Sequence, residues 1–151
     1  MTPSANIIAF VQGYEKCKLK AYMPTPNDRP TIGWGTTGPD IKMGMVWTPR
    51  QCDDRFARDF GNFAASVEKL LNKAPTTQNQ FDAMVSLAYN IGVGNFTISS
   101  VLSNHRLMHY STAAMAFLLW NKQKNQKTKQ LEVLNGLTKR RKAESAIYQQ
   151  P

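Results

Sequence analysis

Tyr14-Glu15-Lys16-Cys17-Lys18-Leu19-Lys20-Ala21-Tyr22, then Met23-Pro24-Thr25-Pro26-Asn27-Asp28-Arg29-Pro30, then Thr31-Ile32-Gly33-Trp34-Gly35-Thr36-Thr37-Gly38 is the stretch whose reading decides the fold. Glu15 ends an apolar helical segment. Lys18 to Tyr22 and Thr31 to Trp34 read as extended chain, and Pro24, Pro26 and Pro30 exclude a helix between them. The expectation is a small antiparallel sheet inserted early in the chain, joined by a polar turn. An acid, a turn aspartate and a threonine are the parts needed to cut a glycosidic bond. One group protonates the leaving oxygen while others direct water onto the sugar.

Outward from this stretch the chain turns helical. Ser4 caps a helix over 4–14, whose apolar face is Ile7, Ile8 and Val11 with Phe10. Thr48-Pro49-Arg50-Gln51 forms a capping box with proline at the first helical position. Phe56, Phe60, Phe63, Val67, Leu70 and Leu71 then recur at three- and four-residue spacing, which predicts a long helix over 48–72. A second box, Thr77 to Gln80, opens a helix with Phe81, Met84, Leu87, Ala88 and Ile91 on one face, ended by Gly92 and Gly94. Shorter helices fit 97–106, 111–121 and 137–148, the last after an Asn135-Gly136 break. The fold class is therefore mainly helical α+β. The expected organisation is a single domain over 1–151: a sheet-bearing lobe at 16–47, a bridging helix at 48–72, and a helical lobe at 73–151 packed with 1–15.

A chain of 151 residues suits one domain. The net charge of +9 implies an anionic partner: nucleic acid, a membrane surface or an acidic polymer. No apolar run approaches the roughly 20 residues of a membrane span. Ile7 to Val11 is too short for a signal segment and lacks its flanks, so the chain is expected in the cytoplasm when made. Cys17 and Cys52 form neither a disulfide framework nor a metal spacing, and are expected to be reduced, semi-buried thiols.

Several residues bear chemistry. Glu15 sits at the negative end of a helix dipole, and burial beside Tyr14 and Tyr22 would further disfavour its charge. Both effects suit a general acid. The competing reading is a solvated glutamate steadied by Lys16 and Lys18. Trp34 either stacks on a sugar or packs within the sheet, and Trp47 and Trp120 read as packing residues. Asn90 is either a cleft-side residue or a helix cap. His105 and His109 are four apart. A metalloprotease helix needs glutamate where Arg106 stands, so both are expected on the surface, with no metal. Gly33, Gly35 and Gly38 lack the Lys-Ser/Thr of a phosphate loop and suit tight strand geometry and close substrate approach instead. Lys122, Lys124, Lys127 and Lys129, with Lys139-Arg140-Arg141-Lys142, read as a solvated helical face or as a source of long-range attraction to anionic cell-wall and outer-membrane components.

Three blocks in order resemble the phage-type lysozymes, the endolysin muramidases of glycoside hydrolase family 24. They are Glu15 through Thr31-Ile32-Gly33-Trp34-Gly35; Gln80-Phe81-Asp82-Ala83-Met84 to Tyr89-Asn90-Ile91-Gly92-Val93-Gly94; and Gly136-Leu137-Thr138-Lys139-Arg140-Arg141-Lys142-Ala143-Glu144. The resemblance implies a lysozyme-like fold and hydrolysis, with inversion, of the β-1,4 bond between N-acetylmuramic acid and N-acetylglucosamine in bacterial peptidoglycan. It gives Glu15 the catalytic glutamate role and Thr31 the threonine role, with Trp34 and Asn90 as substrate-binding candidates. Pro24 occupies the family's usual aspartate register. Asp28, the turn's only carboxylate, is the candidate substitute. If Asp28 merely caps the turn, Thr25 or Asn27 would help place water. Thr36 stands where many relatives have histidine, so no histidine is expected to be essential. The resemblance further implies no cofactor, peptidoglycan glycan strands as partner, a monomer, no nucleic acid, and a holin that admits the protein to the periplasm. The competing classes are a lytic transglycosylase and a non-enzymatic basic protein binding membrane or nucleic acid.

Overall fold

A computed structural model of the chain describes residues 1–26, 28–125 and 127–151. Asn27, a candidate for placing water, lies outside the described residues. The elements run α1 (Ala5–Glu15), β1 (Lys18–Tyr22), β2 (Thr31–Gly33), α2 (Pro49–Leu71), α3 (Gln78–Ile91), α4 (Val93–Thr97), α5 (Ser100–Arg106), α6 (Tyr110–Ala116), β3 (Lys122–Lys124), β4 (Leu131–Val133) and α7 (Asn135–Gln149). A 3-10 turn, Phe117–Leu119, extends α6. This is the mainly helical α+β class expected. The chain divides into two compact units, one of 8–60 and one of 1–7 with 61–151, and the division falls within α1 and α2.

In the 8–60 unit, β1 and β2 pair antiparallel with an irregular register between Lys18↔Gly33 and Tyr22↔Thr31. A third extended segment, not anticipated, lies along β1: Ala21 N–H donates to Met45 O at 3.0 Å and Trp47 N–H to Leu19 O at 2.8 Å. Ile32 and Thr36 exchange backbone hydrogen bonds, 3.0 and 2.8 Å, which folds the end of β2 into a tight turn. Gly33 and Gly35 supply the positive φ values of 64° and 79° that this turn requires. Lys16 takes φ 52° directly after α1 and its N–H reaches Gln12 O at 3.0 Å, so the helix stops at Glu15. The α2 capping box is formed: Thr48 N–H donates to Gln51 Oε1 at 2.8 Å, and Gln51 N–H to Thr48 Oγ1 at 3.2 Å. Cys52, Phe56 and Phe60 are buried along this half of α2. Arg55 pairs with both Asp40 and Asp59 at 2.6 and 2.9 Å, and its hydrogen bonds hold the Asp40 carboxyl below the usual carboxylate range. Cys17 and Cys52 are free thiols. Burial first, then the neighbouring Cys17, pushes the Cys52 thiol up to about 11, so it stays protonated and inert.

In the 1–7 and 61–151 unit, α3 is the buried axis: Phe81, Ala83, Met84, Val85, Leu87 and Ala88 are inaccessible. It packs on α7, while α6 packs on both α5 and α7. Thr77 and Gln80 close the second capping box, and Gly92 ends α3 at φ 90°. Ser4 Oγ accepts from Ile7 N–H at 3.3 Å and donates to Asp82 at 2.5 Å, tying the chain start to α3. Two expectations are corrected here. Lys122 to Lys129 do not form a helical face. They sit on an exposed β3–β4 hairpin, because Asn125 accepts at Oδ1 from the N–H groups of Lys127 and Thr128 and so closes a turn. Asn135-Gly136 is no break, since α7 begins at Asn135.

His105 is also not a surface residue: it is fully buried. Thr76 Oγ1 donates to Ala74 O at 2.8 Å and lies 2.8 Å from His105 Nε2, while His105 Nδ1 lies 2.6 Å from Tyr148 Oη. The network assigns the neutral ring protonated at Nε2, with Tyr148 donating to Nδ1. Burial pulls the imidazole down to about 4. The unfolded chain takes up a proton near pH 6.5 and the native state does not. Stability should therefore be complete above pH 6.5 and fall as pH drops toward 4, by about 3 kcal/mol. Urea midpoints measured across that interval should show this loss. A His105→Gln variant should show a shallower slope by one proton, and an unchanged slope would overturn the assignment. His109 is exposed, as expected.

Among the described residues no helix is long and apolar enough to cross a membrane, and no cluster of three or more His, Cys, Asp and Glu could hold a metal.

Candidate active site

Glu15, Tyr22, Asp28, Thr31 and Trp34 all belong to the 8–60 unit. Glu15 is the last residue of α1 and is partly accessible. The tight turn after β2 runs against its carboxylate. A Cβ built on Gly35 would stand 3.2 Å from the Glu15 carboxyl carbon and closer still to Oε2, an overlap the protein avoids by having glycine there. The sequence alone suits Gly35 to strand geometry and close substrate approach. What it missed is that the close approach is to the acid itself.

Tyr22, at the end of β1, stands in the field of both carboxylates. Burial raises its phenol pKa first, then the charge of Glu15, then that of Asp28. The phenol therefore keeps its proton and remains a donor, a role the sequence did not single out. Asp28 is exposed, and each of its oxygens already accepts one local bond. Thr25 Oγ1 donates to Oδ2 at 3.2 Å, and Arg29 N–H donates to Oδ1 at 2.8 Å. A carboxylate has about four acceptor positions, so capacity remains. Thr31 is 6% exposed and opens β2. Its hydroxyl donates to Arg29 O at 3.2 Å, which uses its only proton and leaves the oxygen lone pairs to accept. Thr36 is buried beside this turn, and its Oγ1 has no hydrogen-bond partner among the described residues.

Trp34 is half-buried, and its indole N–H donates to Asp53 Oδ1 on α2 at 2.8 Å. The ring is thus pinned by its polar edge. Asn90 belongs to the other unit, at the end of α3, where it is exposed and accepts from Arg141 Nη1 at 2.9 Å. Arg141 in turn is fully buried with Glu144: Nη2 donates to Oε2 at 3.0 Å, and Nε lies 2.6 Å from Oε1 as an ion pair without hydrogen-bond alignment. Arg140 Nε and Ser86 Oγ also reach Glu144 Oε2, at 3.4 and 2.5 Å. Burial raises the Glu144 pKa, with the two guanidiniums pulling against it.

Residues 12–144 match the Phage lysozyme family. The chain is 38% identical over 142 residues to the endolysin of Bacillus phage PZA, covering 93% of this chain and 52% of that protein. It is also 38% identical over 146 residues to the endolysin of Acyrthosiphon pisum secondary endosymbiont phage 1, covering 94% of each. The solved endolysin from Escherichia coli O157:H7 phage FAHEc1 superposes with a TM-score of 0.87 at 36% identity, covering 99% of this chain and 94% of the other. The chain spans about half the length of the Bacillus phage relatives it matches. The chain belongs to the phage lysozyme family.

Proposed function

We infer that this protein is a peptidoglycan-cleaving endolysin, an inverting muramidase of glycoside hydrolase family 24. It hydrolyses the β-1,4 bond from N-acetylmuramic acid to N-acetylglucosamine and lyses the host at the end of phage infection. The observation that carries the reading is the gathering of Glu15, Asp28 and Thr31 within one unit, with Tyr22 in the field of both carboxylates. Glu15 is the general acid that protonates the bridging oxygen. As the bond opens, positive charge develops on the ring in an oxocarbenium-like transition state. Thr31 and Asp28 both present lone pairs, so together they accept the two protons of one water and aim its oxygen at the anomeric carbon. That geometry yields inversion and corresponds to carboxyls about 6.5–9.5 Å apart. Trp34 and Asn90 contact the glycan. The two-lobe organisation bridged by 48–72, action as a monomer, manufacture in the host cytoplasm and release to the periplasm by a holin complete the proposal.

Mass spectrometry of a peptidoglycan digest tests the reaction. Reducing N-acetylmuramic acid ends are expected, and anhydro ends would make the protein a lytic transglycosylase. The Gly35 contact offers a second test. Gly35→Ala places a methyl group against the Glu15 carboxylate and strains a backbone at φ 79°. Lysis of chloroform-treated Gram-negative cells should slow about tenfold or more, since displacing an acid by a fraction of an ångström spoils its alignment. Wild-type rates would separate Gly35 from the acid.

A further inference from the structure

The β3–β4 hairpin carries an exposed surface that lies outside the residues assigned to catalysis above. Lys122 pairs with Val133 and Lys124 with Leu131, so these four side chains share one face of the ribbon, while Gln123 and Glu132 share the other. All six strand residues are exposed, Leu131 by 69% and Val133 by 54%. Two further lysines, Lys127 and Lys129, occupy the connecting turn, and Glu132 is the hairpin's only acid. Its carboxylate accepts from Asn125 Nδ2 at 2.8 Å on the opposite face.

A two-stranded ribbon is marginal by itself, yet this one is fixed at both ends. Leu134 N–H donates to Asn121 O at 3.0 Å and Asn121 Nδ2 to Thr138 Oγ1 at 3.2 Å at its base, while Asn125 closes its turn. The ribbon therefore presents a cationic and aliphatic face rather than burying it.

We propose that this face docks the protein on an anionic lipid membrane surface. Lysines at the phosphate level and aliphatic side chains below them are the composition of an interfacial anchor. Lysine stems can lie along Leu131 and Val133 with their ammonium groups outward. A soluble polyanion would be served by the lysines alone and gives the two aliphatics nothing to contact. The proposal is independent of the reaction assigned above.

Flotation with vesicles tests it at physiological salt. The full chain should bind vesicles of phosphatidylcholine containing about a third phosphatidylglycerol, and not pure phosphatidylcholine. Removing one lysine near a surface is expected to weaken binding about fivefold. The Lys122→Gln/Lys124→Gln pair should therefore lose at least that much. Leu131→Ser/Val133→Ser should lose a similar factor with charge intact. Removing equal charge at exposed Lys69 and Lys73 should leave binding within twofold. Thermal midpoints and cleavage of soluble peptidoglycan fragments should be unchanged in all three variants. Full binding by the serine pair, or an equal loss from the Lys69 and Lys73 pair, would overturn the proposal. So would retention on a short DNA duplex without retention on vesicles.

Discussion

Glu15→Gln should lower lytic activity about a thousandfold while leaving the thermal midpoint within a degree or two of wild type. General acid catalysis contributes roughly 10²–10⁴ in rate, and a poor leaving group such as a sugar hydroxyl sits toward the upper part of that range. Glutamine keeps the volume and one carbonyl oxygen beside Gly35 but has no proton to give at the acidity required. The residue stands at a helix end, where the dipole disfavours its charge, and it is partly accessible, so neutralising it costs little stability. Turbidity loss of chloroform-treated Gram-negative cells reads the rate, and binding to insoluble peptidoglycan reads the complex. Retained binding with lost turnover is the expected pair of results. A charge-only mode of lysis predicts the opposite, because the net charge of +9 rises by one when Glu15 is neutralised. Activity equal to or above wild type would remove Glu15 as the acid.

What was legible in the sequence were the features encoded by near neighbours. Both capping boxes form at Thr48 and Thr77 because each needs only residues three apart. Most of the α2 stripe is buried where the three- and four-residue spacing put it, with Cys52 and Ala64 joining Phe56, Phe60, Val67 and Leu71, while Phe63 and Leu70 are only half-buried. The rest depended on partners distant in sequence. His105 looked like a surface residue because Thr76 and Tyr148, which satisfy its two ring nitrogens, lie 29 and 43 positions away. The β3–β4 hairpin was hidden because its strands lack inward apolar residues. Its register is set by the Asn125 side chain rather than by alternation. Within the candidate site, Glu15, Asp28 and Thr31 were visible as residue types in an informative stretch. The seating of Gly35 on the acid and the exposure of Tyr22 to the field of both carboxylates are tertiary facts that spacing does not carry.

Glu144→Gln should destabilise the protein by about 3–5 kcal/mol, the cost of breaking a buried ion pair from one side. At the size of this chain that is a fall of roughly 10 °C in thermal midpoint. Glu144 and Arg141 are both fully buried, and Arg140 is 4% exposed, so two guanidiniums depend on one carboxylate that water cannot replace. Ser86 adds a hydroxyl from α3, and the cluster thereby joins α7 to the central helix. Glutamine keeps the shape but carries no charge, so both buried cations lose the carboxylate that offsets part of their desolvation. The consequence extends to Asn90. Arg141 donates from Nη1 both to Asn90 Oδ1 and, at 3.4 Å, to Trp120 O, so a displaced guanidinium releases a substrate-binding candidate at the end of α3. Glu144→Gln should therefore raise the substrate concentration needed for half-maximal lysis more than it lowers the maximal rate. The triple variant Arg140→Met/Arg141→Met/Glu144→Leu, which leaves neither buried guanidinium behind, separates the two effects. Apolar residues of similar volume often match a buried ion pair or triad in stability, so much of the thermal loss should return. The affinity loss should persist, because methionine cannot hold Asn90. Recovery of both together would mean that Arg141 acts on stability alone.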